Sequence, residues 1–225
     1  MAPSAEHPKP APAGRRAWGS LSQAQIVAAA LEIARKEGLE ALTIRRLATD
    51  LGASRMAIYR HVADKDALVD LVMNAIAEQD VVPPGIGEGP WERRLRVLAE
   101  AMRQQLAAYP GMVEVLMTRA NHGPGALNLV ETILAILADA GLGERQAARH
   151  YLIFIDLVLG RLHRELYGDP VDRHRTASLL ALAEGTVEYP RLHAAERHLR
   201  AVSAAEVFEA ELDMLVEAIK AAAKV

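Results

Sequence analysis

From residue 22 onward, apolar side chains recur at three- and four-residue spacing, the period of a helix with one buried face. Ser22 and Gln25 form a capping box, Ile26, Ala30, Ile33 and Ala34 follow at that spacing, and Gly38 closes the first helix. Thr43 caps a second helix whose apolar face is Ile44, Leu47, Ala48 and Leu51, and Gly52 breaks it. Ser54 caps a third helix with Ile58 and Val62 facing inward, which leaves Arg55, Met56, Ala57, Tyr59, Arg60 and His61 nearer the outside. Asp64 caps a fourth helix running through Leu68, Leu71, Val72, Ala75 and Ile76.

The segment 82–89, VPPGIGEG, predicts a loop or hinge. Beyond it the pattern is helical throughout. Pro90 is expected at the first position of a helix that Pro110 and Gly111 end. A short helix over 112–119 follows, then a break over 121–125, a helix over 126–140 and a long one over 144–167. Residues 171–203 predict one or two short helices with a loop near Tyr189 and Pro190. The chain closes on an amphipathic helix over 204–223, with Val207, Phe208, Leu212, Leu215, Val216 and Ile219 inside. Residues 1–20, with Pro3, Pro8, Pro10 and Pro12, read as a disordered arm. The fold class is therefore all-α. A helix-turn-helix unit of three to four helices over 21–80 precedes a larger helical unit over 90–225.

Composition sharpens this picture. Half of the 225 residues are apolar and aromatics are few, which suits packed helices better than a β-sandwich. Without cysteine there is no disulfide, thiolate zinc site or cysteine nucleophile, and a reducing interior fits. No apolar run approaches the roughly 20 residues of a membrane span, and the N-terminus has no hydrophobic signal core. A soluble cytoplasmic protein is expected. Gly85, Gly87 and Gly89 lack the strand, the lysine and the full spacing of a phosphate loop. G-x-S-x-G and H-E-x-x-H are absent, and the eight histidines are scattered. No catalytic residue, metal site or cofactor is expected.

The net charge of −3 conceals an uneven distribution. Over residues 43–65, Arg45, Arg46, Arg55, Arg60 and Lys65 face only Asp50 and Asp64, a local balance of +3. Two short helices, a glycine turn and cations crowded on the second helix are the layout of a helix-turn-helix DNA reader.

The run LTIRRLATDLGASRMAIYRHVADKDALVDLV resembles the DNA-binding segment of the TetR/AcrR family of one-component repressors. AWGSLS and WERRLRVLAEAMRQQLAAYPG resemble its tetracycline-repressor-like branch. The resemblance implies that Thr43, Tyr59, His61 and Lys65 contact phosphates and that Arg45 reaches a phosphate or a base at the groove edge. It implies that Arg55, Met56, Ala57 and Arg60 occupy the sequence-reading positions. Arginine can grip a guanine edge through two bonds, and Met56 and Ala57 could meet a thymine methyl.

The further implications concern partners. The expected function is a ligand-responsive regulator, a repressor, bound to a palindromic operator in double-stranded DNA. Two readers about 34–36 Å apart demand a homodimer. The resemblance puts its interface on the helices near 144–167 and 204–223, where Leu152, Ile155, Leu159, Phe208, Leu212 and Leu215 supply apolar surface and Gly160 permits close approach. It puts a small apolar or amphipathic effector between the fifth and eighth helices. Met102, Tyr109, Met117, His122, Tyr151 and Phe154 are the expected walls, with Arg103, Asn121, His122 and Asp156 for polar recognition. Asp156 interrupts an apolar run, and an unpaired buried carboxylate is costly, so it is expected to need a partner, either a ligand or an arginine across the dimer. Effector binding is expected to move the fourth helix, directly behind the reader. The rival readings are a helical protein-binding scaffold and an enzyme with an uncharacterised pocket.

Overall fold

The computed structural model describes residues 21–78, 81–119, 123–168, 173–185 and 187–224, and of residues 173 and 174 the backbone alone. The expected arm over 1–20 lies outside these residues. Among the described residues eleven α-helices follow in chain order: α1 (Gln23–Glu37), α2 (Ile44–Asp50), α3 (Arg55–Tyr59), α4 (Lys65–Glu78), α5 (Trp91–Ala107), α6 (Met112–Thr118), α7 (Pro124–Asp139), α8 (Glu144–Tyr167), α9 (Arg173–Leu182), α10 (Pro190–Ala201) and α11 (Ala204–Ala222). A short 3-10 turn, Leu39–Ala41, links α1 to α2, and no strand occurs among the described residues.

The helix starts are chemical. A helix leaves its first N–H groups without partners, and a short oxygen-bearing side chain can take one. Ser22 accepts from the Gln25 N–H, Thr43 from Arg46, Ser54 from Ala57 and Asp64 from Ala67. Ser203 and Glu206 form a second capping box at α11. Several boundaries differ from the sequence expectation; α3 ends at Tyr59, so Val62, expected on it, lies beyond it. Pro90 is the cap before α5 rather than its first residue. Helix α7 begins at Pro124, not at 126, because proline suits a first turn whose N–H groups are unpaired anyway.

The first four helices pack around Ile26, Ile33, Leu42, Leu47, Ile58 and Leu68, all essentially buried. Helix α4 then lies along α7, and α5, α7 and α8 pack on one another with α11 laid on α8. Here the structure corrects one expectation. Phe208, Leu212 and Leu215 do not face outward to a second chain; they are buried in this chain's own core beside Val216 and Ile219. Each such side chain contributes roughly 1.5–3 kcal/mol over an exposed one. Arg161 of α8, only 3% exposed, donates from Nε and Nη2 to the two carboxylate oxygens of Glu211 at 3.1 and 2.7 Å. A buried guanidinium without its carboxylate would be costly, so this pair holds α11 in register on α8.

Leu212→Ala is expected to destabilise the fold by about 2–5 kcal/mol in urea unfolding. Leu127→Ala, at a 66% exposed position of α7, is expected to change it by no more than about 0.5 kcal/mol.

Candidate nucleic-acid interface

The turn between α2 and α3 is set by Gly52. Its φ is +59°, a left-handed backbone that costs an L side chain roughly 1–2 kcal/mol. The Ala53 N–H returns to the Ala48 carbonyl at 2.9 Å and closes the turn. Ser54 then starts α3, and Ile58 and Val62 turn fully inward. The same rotation carries Arg55, Met56, Tyr59, Arg60 and His61 outward, with Met56 70% exposed and Ala57 half-buried. Thr43 and Arg45 sit at the start of α2, and Lys65 is the exposed first residue of α4. Of the nine residues expected from the sequence, Arg45, Arg55, Met56, Ala57 and Tyr59 lie on α2 or α3, Thr43 caps α2, Arg60 and His61 form the turn that follows α3, and Lys65 opens α4.

The five cations of this stretch divide into two kinds. Arg46 is bound within the fold: Nη1 donates to Glu37, and Nε to Asp50 at 3.1 Å. Glu37 first, then Asp50, raise the Arg46 pKa above the ordinary arginine value. Arg46 therefore clamps α2 to the end of α1 and neutralises nearby acids. Arg45, Arg55, Arg60 and Lys65 make no side-chain ion pair with the described residues. The Thr43 hydroxyl oxygen accepts the Arg46 N–H at 3.1 Å, which leaves its proton free to donate. What remains is an exposed face of unpaired cations, hydroxyl and ring donors and one apolar thioether. Such a face can grip phosphate oxygens and meet base edges.

The expected effector residues are dispersed. Met102 and Phe154 are buried in the core and Tyr151 is half-buried. Met117 is exposed, while Asn121 and His122 lie outside the described residues. Arg103 is engaged on three sides. It donates to both oxygens of Glu100 at 2.9 and 3.0 Å and to Glu165 at 3.0 Å, and it lies 5.6 Å from the Phe208 ring centre. Glu100, then Glu165, raise its pKa against the opposing pull of burial. Tyr109 is buried, and its hydroxyl accepts from Arg35 of α1 at 2.9 Å.

Asp156 is exposed on α8 rather than buried in this chain's core. At about 100° per residue it stands roughly 200° from both Phe154 and Val158, which point into the core. A cleft of about 610 Å³ lies between α1 and α4, with Val27, Leu31, Leu71 and Ala75 along it and Tyr109 at its edge. Sequence reasoning missed Glu165, whose Oε1 is buried without a hydrogen-bond partner among the described residues; no spacing signal marks a carboxylate that becomes interior only when α5 meets α8. Among the described residues, no group of three or more His, Asp or Glu side chains is placed to hold a metal ion, and no helix is long and apolar enough to cross a membrane.

Residues 26–72 match the family model of the bacterial regulatory proteins, tetR family. Residues 83–223 match that of the tetracyclin repressor-like, C-terminal domain. The HTH-type transcriptional repressor DrrR1 of Streptomyces coeruleorubidus is 31% identical over 157 residues, 68% of this chain and 57% of that protein. An HTH-type transcriptional regulator of Saccharopolyspora erythraea is 31% identical over 175 residues, 76% of this chain and 73% of that one. The match thus spans little more than half of DrrR1.

Among solved structures, apo ActR of Streptomyces coelicolor superposes with a TM-score of 0.80 at 25% identity, over 92% of this chain and 99% of ActR. ActR in complex with actinorhodin gives 0.77 at 24%, over 91% and 99%. With its reader helices and its larger helical unit each matched by a model of the same group, the chain belongs to the TetR family of bacterial regulatory proteins.

Proposed function

We propose that this chain is a ligand-responsive transcriptional repressor that binds a palindromic operator as a homodimer in the cytoplasm and releases it when a small effector binds. The observation that carries the reading is the outward face of α3. Ile58 and Val62 are buried behind it while Arg55, Met56, Tyr59, Arg60 and His61 stand exposed. In this reading residues 21–80 are the DNA-binding unit and α3 enters the major groove. Arg55 and Arg60 grip guanine edges, and Met56 and Ala57 meet thymine methyls. Thr43, Tyr59, His61 and Lys65 hold phosphates and fix the register, and Arg45 serves at the groove edge.

Residues 90–225 pair the readers and control them. The pairing surface is the outer stripe of α8, where Leu152, Ile155 and Leu159 recur at helical spacing, together with exposed Met214 of α11. A Cβ at Gly160 would meet nothing within 4 Å in this chain, so a partner helix can approach closely there. The effector is a small apolar or amphipathic molecule held among α5 to α8 near Met102, Tyr151 and Phe154. The analogy is ActR, solved in complex with actinorhodin. A coupling of about 1–3 kcal/mol per site is enough to shift the population of operator-competent dimers.

Fluorescence anisotropy on the promoter DNA beside the chain's own gene, taken across a salt series, tests the reader. Arg55→Ala and Arg60→Ala are each expected to cost about 1–3 kcal/mol and to relax preference at particular base pairs. Lys65→Ala is expected to weaken all duplexes alike and to reduce the salt slope by about 1. Unchanged binding of both arginine variants at every operator would show that α3 is not the reader. For the dimer, Leu152→Arg is expected to shift sedimentation towards the monomer while Leu127→Arg leaves it alone; the same dimer in both would remove α8 from the interface.

A further inference from the structure

Helix α1 carries more apolar surface than the core takes up. Ile26, Ala30, Ile33 and Ala34 point into the first four helices and are buried. Ala24, Val27, Ala28 and Leu31 form a second apolar stripe at three- and four-residue spacing, turned to one side of the first. Helix α4 adds Leu71 and Ala75, one turn apart. These two stripes wall the cleft of about 610 Å³ between the helices. Leu31 and Ala75 are buried at its floor, Val27 and Leu71 are half-buried, and Ala24 and Ala28 are exposed. From Gln23 to Arg35 the cleft follows α1 for about 18 Å. Its volume is within the range of small-molecule sites, roughly 300–1,000 Å³.

Charge decides which molecule such a trough takes. Its rim carries two carboxylates, Glu32 and Glu78. Glu78 accepts from the Asn74 side-chain amide at 3.0 Å and makes no ion pair with the described residues. Glu32 is paired with Lys36 at 2.9 Å, but the two side chains are 59% and 70% exposed, and a pair that open holds its partner weakly. Arg35 lines the cleft as well, yet its guanidinium is turned to Tyr109. It donates to the Tyr109 hydroxyl at 2.9 Å and lies 5.2 Å from the ring centre. An apolar trough edged by carboxylates attracts a cation and repels an anion.

We infer that the cleft between α1 and α4 is a ligand site of its own, which takes a small amphipathic cation. An aryl or alkyl body lies on Val27, Leu31, Leu71 and Ala75. Its ammonium group meets the Glu78 carboxylate, and Glu32 adds to the attraction. The site is built from α1, α4 and Tyr109, whereas the effector of the proposed function is held among α5 to α8. The two ligands therefore need not compete. This goes beyond the proposed function and is tested without DNA.

Three compounds with one apolar body separate charge from size: 4-phenylbutylammonium, 4-phenylbutanol and 4-phenylbutanoate. Each is titrated into the full chain with isotope-labelled Val and Leu methyl groups, and the methyl shifts are read by NMR. The ammonium compound is expected to move the Val27, Leu31 and Leu71 signals saturably, with a dissociation constant on the order of 1 mM. The Val158 and Leu162 signals of α8 are expected to stay in place. The alcohol is expected to bind about fivefold more weakly, and the carboxylate more weakly still. Glu78→Gln keeps an acceptor for Asn74 and is expected to bring the ammonium compound close to the alcohol. Ala28→Phe, at an exposed position of the trough, is expected to abolish the shifts; Ala24→Phe serves if that variant fails to fold. Glu131→Gln, exposed on α7, is expected to leave binding unchanged. Equal binding of the ammonium and carboxylate compounds, shifts confined to α8, shifts that survive both phenylalanine variants, or no shift at about 10 mM would overturn the site. A chain that ignores its operator would sink the proposed function and leave this site standing.

Discussion

A five-residue helix has no pose of its own in water, because helix nucleation costs more than one turn returns. What fixes α3 is the burial of Ile58 and Val62 against the first four helices. The two side chains together supply a few kcal/mol, at roughly 1.5–3 kcal/mol each, and they also choose the rotation of the helix. Every outward residue of the interface follows from that choice. Arg55, Met56, Tyr59 and Arg60 are exposed because Ile58 and Val62 are not. The walls around them, Leu42 and Leu47 before the turn and Leu68 after it, are therefore part of the interface although none could touch a ligand.

Charge is placed by the same logic. A net charge of −3 describes the whole chain and not the surface that matters. Arg46 is turned inward to Glu37 and Asp50, so it removes acid from the neighbourhood of the reader without itself being offered. Arg45, Arg55, Arg60 and Lys65 remain as the outward charge. Elsewhere arginine works as an assembly residue. Arg161 with Glu211 joins α8 to α11, and Arg103 with Glu100 and Glu165 joins α5 to α8. The pairs of Arg103 occupy the cation that sequence reasoning offers to an effector.

Glycine at 38 and 125 lets backbone meet backbone where the first four helices join the rest of the chain, and little can yield there.

Local chemistry was legible in the sequence. A cap needs an oxygen three residues before an N–H, a left-handed turn needs Gly52, and an amphipathic helix needs apolar residues at three- and four-residue spacing; each condition is met within a few neighbours along the chain. So the helix boundaries, the helix-turn-helix unit and the outward set of α3 could be read before any coordinates. Contact between distant segments could not. Asp156 interrupts an apolar run in linear order yet faces solvent once the helix is wound. Gly125 reads as part of a break but is the floor on which α4 and α7 meet. The stripe of Phe208, Leu212 and Leu215 announces burial without saying whether this chain or a second copy supplies the cover. The sequence alone determined which face of most helices is apolar and, to within a few residues, where most of them start and stop, because those interactions span one turn. Only the tertiary structure decided which faces meet, which arginines are consumed inside and which remain outside, because those pairings join residues far apart along the chain.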